Sequence, residues 1–324
     1  MSLHDLIEAE AAAANRAAPA LNDDSVADAL RQAARIVGER QDAILLANAA
    51  DCKTATGRLD EGTLDRLRLD ESRVEALARQ LDAMADVEPV QREAGSWTLA
   101  NGLHVSERRI PIGTVGANFE ARPNVALDVA GQLLKSLNAA VLRTGGAALG
   151  TVTVLVDDVL RPALEEAGLP PGSVGLVRSP DREGARLLVS LPRRIPLVIL
   201  RGSGETTAEL ARLAAENGVR TLAHAEGGGV LYVHGSAARD HALTLAEASL
   251  DRLGVCNRLN LALVDRAAEA QLETVLAECA AAGVTVRRPE ELDVPIGHEW
   301  ANDAERVATV TLHVVACQNA AVPR

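Results

Sequence analysis

Aromatic residues are almost missing: Trp97, Phe119, Tyr232 and Trp300 are all that the 324 residues contain. The core must therefore be built from Ala, Leu and Val, a smooth packing that is less sharply specified. A hydrophobic share of 48% is still ample for one large or two medium cores, and it is not the composition of a disordered chain. Basic charge is also in short supply. Against 45 Asp and Glu stand 33 Lys and Arg, a net charge of −12. No domain-scale basic face is left for a nucleic-acid backbone, although one or two well-placed arginines suffice for a small anionic ligand.

Long apolar runs are absent as well. The N-terminus MSLHDLIEAEAAAANRAAPA carries early acids where a secretory signal needs an apolar stretch. No window approaches the roughly 18 consecutive apolar residues of a membrane span. The four cysteines, Cys52, Cys256, Cys279 and Cys317, lie far apart, with no C-x-x-C pair and no histidine cluster at zinc spacing. The expectation is a cytoplasmic, reduced, metal-free chain with neither membrane nor nucleic acid as partner. In such a compartment a thiol stays available as a nucleophile.

What is present is rhythm. Residues 1 to about 90 have helical spacing, with Asn22-Asp23-Asp24-Ser25 offering N-caps and further helices from about Glu61 and from Glu71 to Ala85. SWTLANGLHVSERR then alternates around Asn101-Gly102, which predicts a β-hairpin over residues 97–109. From there strands at Thr114–Asn118, Ala139–Arg143, Val174–Val177 and Leu197–Leu200 alternate with helical stretches, the pattern of a parallel sheet covered on both faces. After His224 the rhythm repeats through GGVLYV, LNLALV and VTVR with helices between them. The fold class is α/β: a Rossmann-type domain over residues 1–227, including the hairpin, and a second α/β domain over 228–324.

Two glycine turns stand out. Arg201-Gly202-Ser203-Gly204 lies between a strand and a helix, where backbone N–H groups bind anions; the alternative is a tight turn with a helix cap. The third glycine of a dinucleotide fingerprint is replaced by Thr207. Gly113-Thr114-Val115-Gly116 sits inside a strand and marks either close approach of a ligand or a crowded strand crossing.

Several ordered stretches resemble the gamma-glutamyl phosphate reductase family of the aldehyde dehydrogenase superfamily. They are NGLHVSERRIPIGTVGANFEARPNVALDVAGQLLKSLNAAVLRTGG, PLVILRGSGETTAEL, His224-Ala225-Glu226-Gly227 and LGVCNRLNLALVD, with a faint fifth at Glu299-Trp300. The chain departs from the pattern in three places. Leu137 replaces a helix-ending glycine, leaving Asn138 to take the left-handed conformation; Ala147 stands where a carboxylate would meet a cofactor ribose; and Asn260 replaces a glutamate. The chain also stops at ACQNAAVPR, short of the family's usual end.

The resemblance implies NADPH-dependent reduction of L-glutamyl 5-phosphate to glutamate 5-semialdehyde in proline synthesis, with the hairpin as an oligomerisation arm. It also implies glutamate 5-kinase as a partner and a homo-oligomer, weakened here. Cys256 would be the nucleophile; read alone, it is a small buried hydrophobe. Asn124 is an oxyanion donor or a helix cap. Arg122 clamps the substrate or pairs with Glu120. Arg143 and Gly145 would meet the cofactor's 2′-phosphate end, and Arg201, Gly202 and Gly204 its phosphates. His224 and Glu226 move a proton or hold the junction between the domains. The same residues also suit a catalytically silent paralogue that binds nucleotide or a partner chain.

Overall fold

In the computed structural model, which describes residues 2–59, 61–202, 204–224, 227–250, 258–300, 303 and 305–316, side-chain caps set where the first helices begin. Ser2 and Asp5 form a capping box at α1 (Leu3–Ala17). Asn22 accepts from the N–H of Ser25 at 2.9 Å to open α2 (Asp23–Glu39). Asp70 does the same for α5 (Glu71–Ala85), accepting from Arg73 at 2.8 Å. Between them lie α3 (Gln41–Ala55) and α4 (Glu61–Leu67).

The chain divides into two units, Met1–Ala225 and Glu226–Arg324. The first begins with the helices above and continues into an antiparallel hairpin, β1 (Glu93–Thr98) and β2 (His104–Arg108). The hairpin thus starts earlier than the sequence predicts, and its turn is not a two-residue Asn-Gly turn. Gly102 donates to Leu99 O and Leu99 to Leu103 O, and only Gly102 has positive φ, at 84°. This is a three-residue loop with Gly102 at the left-handed position, while Asn101 spends its side chain on the N–H of Leu103.

Five strands then form a parallel sheet in the order β5-β4-β3-β6-β7. They are β3 (Thr114–Phe119), β4 (Ala139–Thr144), β5 (Val174–Leu176), β6 (Leu197–Arg201) and β7 (Arg220–His224). The connecting helices are α6 (Asn124–Lys135), α7 (Leu149–Val154), α8 (Arg161–Glu166), α9 (Glu183–Leu188) and α10 (Gly204–Glu216). A π-helical turn, Leu155–Leu160, joins α7 to α8 just before Pro162, which lacks the N–H that a straight helix would use.

Alternation along the strands splits the core between the two faces. Val115, Ala117, Phe119, Ala140 and Leu142 pack with residues of α2, α5 and α6, whereas Val141, Val198 and Leu200 pack with residues of α1, α9 and α10. Gly116 belongs to the second face. A Cβ there would lie 3.0 Å from both Ile195 Cγ2 and Val198 Cγ2, so this glycine answers to crowding inside the sheet and not to a ligand.

A second departure is at the end of α6. Leu137, not Asn138, takes the left-handed conformation, with φ of 57°. Leu137 donates to Leu134 O and Asn138 to Leu133 O, both at 2.8 Å, a Schellman ending. The ladder requires the residue directly after the cap to turn, and that residue is leucine, at a cost of about 1–2 kcal/mol. Asn138 is used elsewhere, accepting from the N–H of Gly113 at 2.9 Å.

The outer edge of β5 is closed by charge. Val174 O accepts from Arg161 and Leu176 O from Arg178, and both arginines pair with Glu10 and Asp157. Outward carbonyls that would template another strand are thereby occupied.

The second unit is a parallel sheet in the order β10-β11-β9-β8. Its strands are β8 (Gly229–Val233), β9 (Leu259–Asp265), β10 (Thr285–Arg287) and β11 (Thr309–Val315), covered by α11 (Arg239–Ala248) and α12 (Glu269–Ala281). Strands β7 and β11 are additions to the sequence reading. No helix among the described residues is long and apolar enough to cross a membrane.

Candidate active site

Strand order fixes where a ligand can sit in the first unit. From β3 the chain crosses to β4 and β5 on one side, then returns to β6 on the other. The carboxyl ends of β3 and β6 therefore diverge into a crevice at the topological switch point. The segment Glu120 to Asn124 leaves β3 there, and Arg201-Gly202 leaves β6.

The structure brings these two motifs into contact. A Cβ on Gly202 would lie 3.0 Å from Glu120 Oε1 and 3.6 Å from Thr207 Oγ1. With glycine at 202 the exposed Glu120 carboxylate approaches the turn without having to give way to a Cβ. Thr207, standing where a fingerprint glycine would be, is buried at the foot of the same turn. Gly204 is the first residue of α10, and Arg201 is exposed.

Between Glu120 and Arg122 the backbone is strained. Ala121 has φ of 31°, which costs a residue with a Cβ about 1–3 kcal/mol. Phe119 O accepts from the N–H of Gly145 at 3.1 Å, and a Cβ on Gly145 would come no nearer than 4.0 Å to Ala121 N. The β4 exit turn thus lies beside the strained residue. Arg122 is half-buried.

Asn124 is the first residue of α6, and the cap residue is Pro123, so the asparagine side chain is not a helix cap. Its Nδ2 points to Asp128 Oδ2, at 3.4 Å one turn along. Burial pushes the Asp128 carboxyl above its ordinary pKa, and the Asn124 amide opposes this. Asp128 is a residue the sequence reading missed; its only signal was the four-residue spacing from Asn124.

Arg143 ends β4 but is turned inward. It is 6% exposed, with Nη1 donating to Asn118 Oδ1 at 3.1 Å and Nη2 to Asp181 O at 3.0 Å. Burial lowers its pKa, with Glu120 opposing. Its Nε, and Thr144 Oγ1 beside it, are buried without a hydrogen-bond partner among the described residues. The exposed Arg182 follows Asp181. On the other side of the crevice, His224 pairs with Arg201 across β6 and β7 and is exposed. Cys256 and Glu226 lie outside the described residues.

A profile of the aldehyde dehydrogenase family matches residues 4–307. The gamma-glutamyl phosphate reductase of Erythrobacter litoralis is 36% identical over 264 residues, 81% of this chain and 62% of that protein. The gamma-glutamyl phosphate reductase of Leifsonia xyli is 40% identical over 289 residues, 86% of this chain and 67% of that one. The chain spans little more than three fifths of the length of the curated relatives it matches. The crystal structure of gamma-glutamyl phosphate reductase from Thermotoga maritima superposes with a TM-score of 0.81 at 27% identity, covering 96% of this chain and 78% of that one.

Proposed function

The chain belongs to the aldehyde dehydrogenase family and, within it, to the gamma-glutamyl phosphate reductase group; from that premise we propose that it reduces L-glutamyl 5-phosphate to glutamate 5-semialdehyde with NADPH. The observation that carries the reading is the meeting of the Glu120–Asn124 segment with the Gly202 turn at the switch point of the sheet. Two motifs 80 residues apart in sequence, each pointing to the same family, share one crevice.

In this reading the Cys256 thiolate attacks the acyl carbon of the substrate. A C–S bond forms, the C–O bond to phosphate breaks, and inorganic phosphate leaves with the electron pair. The Asn124 amide, aimed by Asp128, supplies an N–H to the oxygen that gains charge. Arg122 holds the anionic end of the substrate. The dinucleotide, when bound, supplies the hydride that releases the acyl group from sulfur as the aldehyde.

Residues at the end of β4 suit that cofactor. The turn Thr144 to Ala147 has no carboxylate to repel a 2′-phosphate. This favours NADPH, with Arg143 tying the end of β3 to the loop at Asp181 beside which the cofactor's adenosine end would rest, near Gly145. Arg201, Gly202 and Gly204 would face its phosphates, and His224 or Glu226 would handle the proton. The exposed hairpin side chains Trp97 and Leu103 belong, on the same reading, to an assembly of identical chains in the cytoplasm.

The test is the reverse reaction, in which semialdehyde, phosphate and NADP yield NADPH absorbance. Wild type should turn over, and Cys256→Ser should be silent while keeping its circular dichroism and nucleotide affinity. Residual turnover in that variant would remove Cys256 from the mechanism. Nucleotide binding without turnover in the wild type would identify a silent paralogue.

A further inference from the structure

One buried amide in the second unit touches three chain segments at once. Asn260, 6% exposed on β9, donates from Nδ2 to His298 O and accepts at Oδ1 from the N–H of Trp300, both at 2.9 Å. It therefore grips the main chain on either side of Glu299. Glu299 is 5% exposed, and its Oε2 accepts from the N–H of Gly227 at 2.6 Å. The next residue, Gly228, lies flat against the amide: a Cβ there would be 2.3 Å from Asn260 Cβ and 2.6 Å from its Nδ2. Gly228 has to be glycine, and Asn260 has to lie under it.

The far side of this arrangement is equally fixed. Trp300 is fully buried, its Nε1 donates to Thr311 Oγ1 at 3.0 Å on β11, and Arg306 stacks over the ring at 5.1 Å. Arg306 is held in turn by Asp303 and Asp293. The 298–300 segment cannot swing without breaking this set.

We infer that Asn260 and Glu299 are positioning residues, holding the main chain at Gly227–Gly228 in register with the start of β9. The inference rests on the proposed function for its consequence. Gly227 directly follows Glu226, and Asn260 lies four residues after Cys256. Gly227–Gly228 and the start of β9, which follow those residues in sequence, are thus tied to one amide and one buried carboxyl. The chemistry also accounts for asparagine at this position, where the resembling family carries glutamate. A carboxylate accepts from Trp300 N–H but has no hydrogen to donate to His298 O, and it would set a second acid beside Glu299.

The experiment uses the full chain with Glu299→Ala, Glu299→Gln and Asn260→Asp. Three readings are taken: amide hydrogen exchange at Gly227, read from a peptide that begins several residues before it, the alkylation rate of Cys256 by iodoacetamide, and kcat and KM in the reverse reaction. Glu299→Ala should speed exchange at Gly227 about tenfold or more, the loss of one charge-assisted hydrogen bond. It should also change the Cys256 alkylation rate and lower kcat about tenfold with KM little altered. Glu299→Gln keeps an acceptor oxygen in the same place and should restore most of each. Asn260→Asp, with its shape kept and its donor lost, should behave like Glu299→Ala. Unchanged exchange at Gly227 in Glu299→Ala overturns the inference, and so does a glutamine variant no better than alanine. If the wild type shows no turnover, the proposed function fails, while the exchange and alkylation readings still decide the positioning role.

Discussion

The Asp51 carboxylate accepts two hydrogen bonds from a single residue, Thr151, one from its main-chain N–H and one from its hydroxyl, each at 2.7 Å. The contact joins α3 to the first turn of α7 across a hundred residues of sequence. A Cβ on the intervening Gly150 would lie 2.7 Å from Asp51 Oδ1, so the glycine is what admits the carboxylate. Thr151 is fully buried, and Asp51→Ala would leave its N–H without an acceptor. Urea denaturation should show a loss of about 2–3 kcal/mol. Gly150→Ala should lower stability in the same direction by displacing the same carboxylate.

Arg143 provides a second test. Arg143→Met removes the donors to Asn118 and Asp181 O while roughly keeping the side-chain volume. Leaving the buried Asn118 acceptor unsatisfied should cost about 1–3 kcal/mol. Because the guanidinium ties the end of β3 to the loop at Asp181, affinity for NADPH and NADH should fall alike in titration calorimetry. A loss confined to NADPH would instead put the guanidinium on the 2′-phosphate.

Much of the frame was legible in the sequence, for reasons that can be stated residue by residue. Strands β3, β4 and β6 are short apolar runs between turn signals, and burial on both faces keeps them so. By contrast, β7 has the exposed pattern of an edge, with Leu222 60% exposed, and offers no such run. The Val310, Leu312, Val314 alternation of β11 was present but followed a stretch with no turn chemistry to announce it. The site was legible where it rests on motif, as at Glu120, Asn124 and Gly202. It was not legible where it rests on conformation or distant contact. Nothing in the sequence says that Ala121 has positive φ, that Arg143 turns inward, or that Glu299 meets Gly227.

The thiols should separate by environment. Burial pushes Cys52 and Cys279 above the ordinary thiol value, and the nearby Arg68 and Arg258 only partly offset this. Both should alkylate slowly near neutral pH, because the thiolate is the reactive form, and should react faster as pH rises. If Cys256 is the nucleophile, iodoacetamide at pH 7.5 should label it first, as peptide mass spectrometry would report. Faster labelling of Cys279 than of Cys256 would contradict the assignment.

Asp128 ties stability to function. Its carboxyl is raised above the unfolded value of 3.8, chiefly by burial, so the folded chain holds that proton more tightly than the unfolded one. The stability it contributes is present in full below that unfolded value and is lost as pH rises through the folded value. At neutral pH the ionised group works against folding. Asp128→Asn should therefore have a higher unfolding midpoint than wild type at pH 7, and the two should converge in acid below about pH 3.8. Thermal melts across that range are the check, and a gap that stays constant with pH would mean the carboxyl is not the cause. Activity should move the other way. With alanine at 128 the Asn124 amide loses the acceptor 3.4 Å away that orients it, and kcat should fall about tenfold while KM holds. A chain that keeps a half-buried acid at some cost in stability, beside the amide it aims, is one in which orientation at that amide outweighs the cost.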